Sequence, residues 1–209
     1  MKKQNIIWYI LVGMNLILLL LLGVQYSRQL KIQQGIAQKV LRFHVIANSD
    51  SDEDQALKLA VRDAIGAQMA KVLAGVEDRS ECEKVVAAHM DEIKETAKKV
   101  IAEQGYSYEV DAFVRDVDFP VKTYGDYTFP AGTYKALEVV IGEGSGKNWW
   151  CVMYPNMCFS GSVYEVVDED AKTALKEVLS EEEYEQVFTE GDYEVQCKYL
   201  SFLNEFIGQ

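Results

Sequence analysis

The sequence predicts an α+β fold, a single antiparallel sheet with helices packed mainly on one face, preceded by an amino-terminal transmembrane or signal helix. Three observations carry this reading. Residues 6–24 (IIWYILVGMNLILLLLLGV) hold no charge. Residues 57–100 place apolar side chains at helical spacing, and residues 106–154 place them mostly at every second position. Residues 1–30 then form the membrane or signal segment, and residues 31–209 one extracytoplasmic domain long enough to bury a real core.

The charge-free run comes first because it sets the compartment. Nineteen residues rising 1.5 Å each come close to a hydrocarbon core about 30 Å thick. A buried helix of a soluble protein normally keeps a polar stripe, and this run offers only Asn15. A removable signal has a shorter apolar stretch ending at a small-x-small site. Gln25, Tyr26, Ser27 and Arg28 supply no such site, and Gly35-Ile36-Ala37 lies far downstream, so an uncleaved anchor is favoured. Flanking Lys2, Lys3, Arg28, Lys31, Lys39 and Arg42 leave the orientation open. The short amino-terminal tail and the cysteines favour export.

No acid occurs before Asp50, whereas residues 50–209 carry 33 acidic and 15 basic residues. Such a surface repels nucleic acid and anionic lipid, so neither is expected as a ligand. The four cysteines, Cys82, Cys151, Cys158 and Cys197, permit disulfides in an exported domain. Cys151 and Cys158 flank a short stretch containing Pro155-Asn156. Closing that loop would stabilise the fold by roughly 2.5 kcal/mol in the chain-entropy model. Free buried thiols acting as small hydrophobes are the alternative. A Cys82–Cys197 pair is the less favoured second bridge.

The elements follow in order. Residues 41–47 alternate, with Leu41, Phe43, Val45 and Ala47 on one face and Arg42 and His44 on the other, which predicts a strand. Asn48 to Asp54 supply capping oxygens and first-turn acids for a helix carrying Leu57, Val61, Ala64, Ile65, Met69, Val72 and Leu73, stopped by Gly75. Ser80 with Glu83 reads as a capping box opening a second helix that runs to Gly105. Its stripe is Cys82, Val86, His89, Ile93, Ala97 and Val100.

Tyr106, Tyr108, Val110, Ala112 and Val114 then alternate as a strand. Its parity flips near Arg115-Asp116, which predicts a bulge or bend. Residues 133–141 and 148–154 are further strands, joined by a glycine-rich loop suited to a hairpin, and residues 159–167 a candidate fourth. Asp168 caps a helix to about Leu179. Ser180 with Glu183 forms another capping box, and Val195, Tyr199, Phe202 and Phe206 mark a last helix.

Motifs that would carry chemistry are missing. Ile141 and Asn148 occupy places that a phosphate-binding loop gives to Gly and Ser or Thr. Asp50 to Asp54 open like a calcium loop, but Gln55 and Val61 stand where Gly and Glu are required. No His/Cys spacing suits zinc, and no nucleophile elbow accompanies His44. Catalytic residues, metals, cofactors and small-molecule substrates are therefore not expected. The aromatic stretch 119–134 (FPVKTYGDYTFPAGTY) is the more informative signal. Gly125, Pro130 and Gly132 make turns rather than strands of it. Its rings are either tucked beneath the loop or displayed as anchors for a partner.

Two strings, RFHVIANSDSDEDQALKLAVRDAI and FPVKTYGDYTFPAGTYKALEVVIGEGSGKNWWCVMYPNMCF, resemble the stage II sporulation protein R family of endospore-forming Firmicutes. The resemblance covers residues 41–159 and includes the hydrophobic start. It implies a signalling protein made in the forespore and exported into the space between the two sporulation membranes, anchored or released. Its partner would be the membrane-embedded peptidase, stage II sporulation protein GA, that cleaves the precursor of the mother-cell sigma-E factor. No catalytic residue is carried over from the family. On this reading the expected contact surface is Tyr124, Tyr127, Phe129, Trp149 and Trp150. The alternative is a cell-envelope hydrolase using His44.

Overall fold

A computed structural model describes residues 2–157 and 169–188. The apolar run does not end at the domain. One helix, α1 (Lys2–Lys39), continues through residues 25–31, all exposed, and then enters the fold. Ile36 and Val40 are fully buried there. No proline or turn residue interrupts the chain between the two parts, so the helix has no reason to break.

Strand β1 (Leu41–Ile46) follows at once. The next helix, α2 (Asp52–Val72), starts where expected: the Ser51 hydroxyl accepts from the Asp54 amide, and Asp54 accepts from the Ser49 hydroxyl and the Asn48 amide. The long helix expected from Ser80 is instead two, α3 (Arg79–Ala88) and α4 (Met90–Glu103). The cap is Asp78 rather than Ser80, its carboxylate accepting from the Glu81 amide. The break falls at His89, whose backbone leaves helical geometry while its ring Nδ1 bonds the Val85 carbonyl at 2.8 Å. That back-bond competes with the helical ladder. His89 is half-buried, and Ile101 rather than Val100 completes the buried stripe.

Strand β2 (Val110–Phe119) pairs with β5 (Gly132–Ile141) in unbroken antiparallel register, so the expected bulge is absent. The parity flip has another cause. Val110 and Ala112 face one core, whereas Val117 and Phe119, of opposite parity, face a second. The strand stays regular while burial passes from one face of the sheet to the other. The aromatic stretch also holds a small hairpin the sequence did not predict, β3 (Lys122–Tyr124) and β4 (Tyr127–Phe129), turning at Gly125-Asp126. Gly125 takes a φ of 53°, as such tight turns require.

The class is α+β, with a mixed rather than purely antiparallel sheet. Its order is β2-β5-β1-β6, with β6 (Asn148–Tyr154) antiparallel and β5 parallel to β1. β1 thus lies between β5 and β6, and the loop between those two strands is a crossover rather than a hairpin turn. It arches over the end of β1: the Gly146 amide donates to Ala47, the Ser145 amide to Asn48 and the Lys147 amide to the Asp50 side chain. Helices α2, α3 and α4 cover one face. The end of α1, the β3–β4 hairpin, α5 (Glu169–Val178) and α6 (Glu181–Val187) cover the other. The Ser180–Glu183 capping box opens α6 as expected. The expected strand at 159–167, the cap at Asp168 and the final helix lie outside the described residues.

The crossover depends on a glycine. A Cβ on Gly146 would lie 2.2 Å from the Ser49 carbonyl oxygen, a backbone atom that cannot step aside. Gly146→Ala should lower unfolding free energy by about 2 kcal/mol in urea titration, the ordinary size of an overpacking penalty. The exposed Glu143→Ala in the same loop should leave stability within about 0.5 kcal/mol.

Candidate functional site

The second face of the sheet carries polar groups that alternation along β1 directs away from the helices α2–α4. Arg42 is wholly buried there. Its Nε donates to the Cys151 carbonyl at 2.9 Å and its Nη2 to the Tyr124 hydroxyl at 3.0 Å. The guanidinium carbon lies 4.4 Å from the Phe119 ring centre and 5.0 Å from those of Phe129 and Tyr134. Burial draws its pKa down, and the Tyr124 and Tyr134 hydroxyls oppose this. A guanidinium stays charged regardless.

Two residues along, His44 is 1% exposed, and its Nε2 lies 3.2 Å from Glu138 of β5. The other carboxylate oxygen of Glu138 pairs with Arg115 of β2, whose side chain reaches solvent. Trp150 closes the site from above. It stacks on His44 at 4.9 Å with 2° between the planes, and meets Phe119 edge-on at 4.6 Å. Lys122 of β3 stands 6.0 Å over the Trp150 ring. The result is a rigid floor of buried ions and rings beneath half-exposed Trp150, Tyr124 and Lys122, bordered by Arg115, Phe113 and Val121.

The five residues expected as a contact surface are not all brought together. Tyr124 and Trp150 are half-buried on this face. Tyr127 and Phe129 share the face but are fully buried, Tyr127 bonding the Tyr184 hydroxyl at 2.7 Å and Phe129 lying under Arg42. Trp149 points to the opposite face, as successive strand residues must. There it meets Phe43 edge-on at 5.5 Å and lies 5.0 Å from the Arg62 guanidinium, 7% exposed. Reasoning from sequence missed Arg42, Phe119, Lys122 and Glu138 as organisers of the site. The usable signal was a pair of bases, Arg42 and His44, in a strand emerging directly from an apolar helix.

Among the described residues Cys82 is a free, buried thiol, and burial pushes its pKa up to about 12, so it is a poor nucleophile. Cys151 is buried on β6, and its expected partner Cys158 lies outside the described residues. Among the described residues no group of three or more His, Cys, Asp or Glu is placed to hold a metal ion.

These features define an α+β domain carried on an apolar helix long enough to cross a membrane, with an aromatic sheet face laid over a buried Arg42. The family model for stage II sporulation protein R matches residues 37–164. Stage II sporulation protein R of Bacillus subtilis (strain 168) is 33% identical over 152 residues, covering 70% of this chain and 68% of that protein. No solved structure matches the chain. The chain belongs to the stage II sporulation protein R family.

Burial pushes the His44 pKa down from 6.5 to about 4, the Arg115 and Arg42 charges act the same way, and the Asn148 amide opposes them. The neutral ring is therefore the folded form. Its contribution is complete above about pH 6.5 and is lost as pH falls toward about 4, a difference of about 3 kcal/mol. Urea unfolding from pH 7 to pH 4 should show that slope, and His44→Gln should flatten it.

Proposed function

We propose that the folded domain is exported from the forespore and works in the space between the two sporulation membranes as a messenger. It activates the membrane-embedded peptidase that processes the sigma-E precursor, a stage II sporulation protein GA-like partner, by protein contact and without chemistry of its own. Membership of the family supports the role. The observation that carries the mechanism is the sheet face: Trp150, Tyr124 and Lys122 stand half-exposed over a floor that cannot rearrange cheaply. Tyr127 and Phe129 shape this surface from beneath, and Trp149 holds the strand from the other side. Lys122 gives it a basic edge on an acidic domain, which suits a carboxylate on the peptidase.

Rigid aromatic anchors lose little freedom on binding. A ligand shifts a two-state partner only by its differential affinity, and a hundredfold shift needs about 2.7 kcal/mol, within reach of a few such anchors. The domain on this reading is 31–209, held by or released from the segment 1–30. A Cys151–Cys158 bridge would pin the end of β6 next to Trp150. The hydrolase alternative needs a histidine that a substrate can touch, and His44 is 1% exposed beneath Trp150.

Lys122→Glu, Val121→Asp and Trp150→Ala should each reduce sigma-E precursor cleavage in sporulating cells by about tenfold or more. Export should continue, and the two surface-charge variants should melt as the parent does. Normal processing in all three surface variants would exclude this face as the contact.

A further inference from the structure

The four-stranded sheet ends at β2, and among the described residues no strand pairs with its outer edge. The strand is ten residues long, contains no proline and keeps unbroken register with β5. Edges of this length are normally blunted by a bulge, a proline or a charge, because their free amides and carbonyls invite another chain. One bond shows which groups are free. The Gly142 amide donates to the Glu109 carbonyl at 2.8 Å, so Glu109 and every second residue after it bond inward to β5. Ala112, Val114, Asp116 and Asp118 therefore aim their amides and carbonyls away from the sheet. Lys94 of α4 comes within 5.9 Å of the Phe113 ring centre, a flexible tail whose contact is weak at an exposed site.

The side chains along this edge identify what fits it. Asp111, Phe113 and Arg115 share one face and are all exposed, Phe113 by 41%. The run Asp111-Ala112-Phe113-Val114-Arg115 is self-complementary in charge about Phe113. Laid antiparallel on a second copy with Phe113 opposite Phe113, it sets Asp111 opposite Arg115 twice. No like charges meet along the rest of the strand: Val110 faces Asp116, and Glu109 faces Val117. Centring the pair on Arg115 or Asp116 instead would oppose two like charges, which is unfavourable. These five residues sum to zero charge on a domain whose residues 50–209 carry 33 acidic and 15 basic side chains. Because Phe113 bonds inward, the Phe113 pair is of the non-hydrogen-bonded kind, which brings opposite side chains closest.

We propose that β2 is the edge through which two copies of this chain pair, antiparallel and centred on Phe113, with Asp111 of each against Arg115 of the other. Arg115 also pairs with Glu138 of its own chain, yet its side chain remains 56% exposed and can serve both carboxylates. The two-fold axis stands perpendicular to the sheet. Two four-stranded sheets then join as one, and both Trp150 faces lie on the same side of it.

Phe113→Cys in the purified full chain in detergent should close a disulfide across the axis on mild oxidation. The Cα atoms of such a pair stand about 4.5 Å apart, within bridging range. Linked dimer should exceed that of the parent chain, which carries the native cysteines, by about tenfold or more. Asp116→Cys would lie about 20 Å from its copy and should stay at the parent level. Adding Asp111→Lys to Phe113→Cys opposes lysine to arginine twice and should cut the dimer about tenfold. Melting should stay within about 2 °C, as for an ordinary surface change. The unaltered chain gives a second reading: the amides of Ala112, Val114 and Asp116 should exchange more slowly as protein concentration rises. Should Phe113→Cys fail to fold, that exchange result decides. Concentration-independent exchange at these amides, or parent-level linking of a folded Phe113→Cys chain, would overturn the proposal. So would linking of Asp116→Cys as strong as that of Phe113→Cys, which would trace association to the apolar helix. Undiminished dimer with Asp111→Lys, or capture of a different protein in place of the second copy when Phe113→Cys is oxidised in cells, would overturn it equally.

Discussion

The fully buried guanidinium of Arg42 ties the sheet together. Its guanidinium bonds the backbone of β6, the tyrosine hydroxyl of β3, and the ring faces of β2, β4 and β5. Removing an ion from water costs several kcal/mol, and only well-formed hydrogen bonds and ring contacts offset that loss. Removing one partner later is therefore worse than never having had the charge. The strands around Arg42 are consequently restricted to arrangements that keep all of these contacts at once.

That restriction explains why the sheet has two cores instead of one. Leu41, Phe43 and Val45 pack against α2–α4, while Arg42 turns the other side of the same strand into an aromatic interior closed by the hairpin, α6 and the end of α1. Trp150 and Tyr124 stand at the rim of this interior, fixed by His44 and Arg42 beneath them. A surface held in place before the partner arrives spends less binding energy on ordering. The same core accepts Ile36 and Val40, so the end of the apolar helix and this sheet face share one packed unit.

Much of this was legible in local pattern and some of it was not. The span of β6, the Ser51 start of α2 and the Ser180–Glu183 box follow from alternation and capping chemistry, which act within a few residues. Alternation also places Trp149 and Trp150 on opposite faces, which already forbids a surface containing both. Pattern cannot say which strands are neighbours. Insertion of β1 between β5 and β6 turns an apparent hairpin loop into a crossover, and that depends on contacts about a hundred residues apart in sequence. The flip in β2 imitates a bulge because a strand serving two cores changes its buried parity without changing its geometry. Arg42 was hidden for the same reason. A charged residue on the polar side of a strand ordinarily faces water, and only the tertiary arrangement reveals the rings waiting for it.

The most direct measurement is amide hydrogen exchange on the full chain carrying Arg42→Lys. Lysine keeps the charge but cannot reach Cys151 and Tyr124 together. The account requires that amides of residues 122–129 exchange at least about tenfold faster while those of α2 and α4 keep more of their protection. Unchanged protection in the hairpin, with unchanged stability, would show that the buried guanidinium is not what holds this face together.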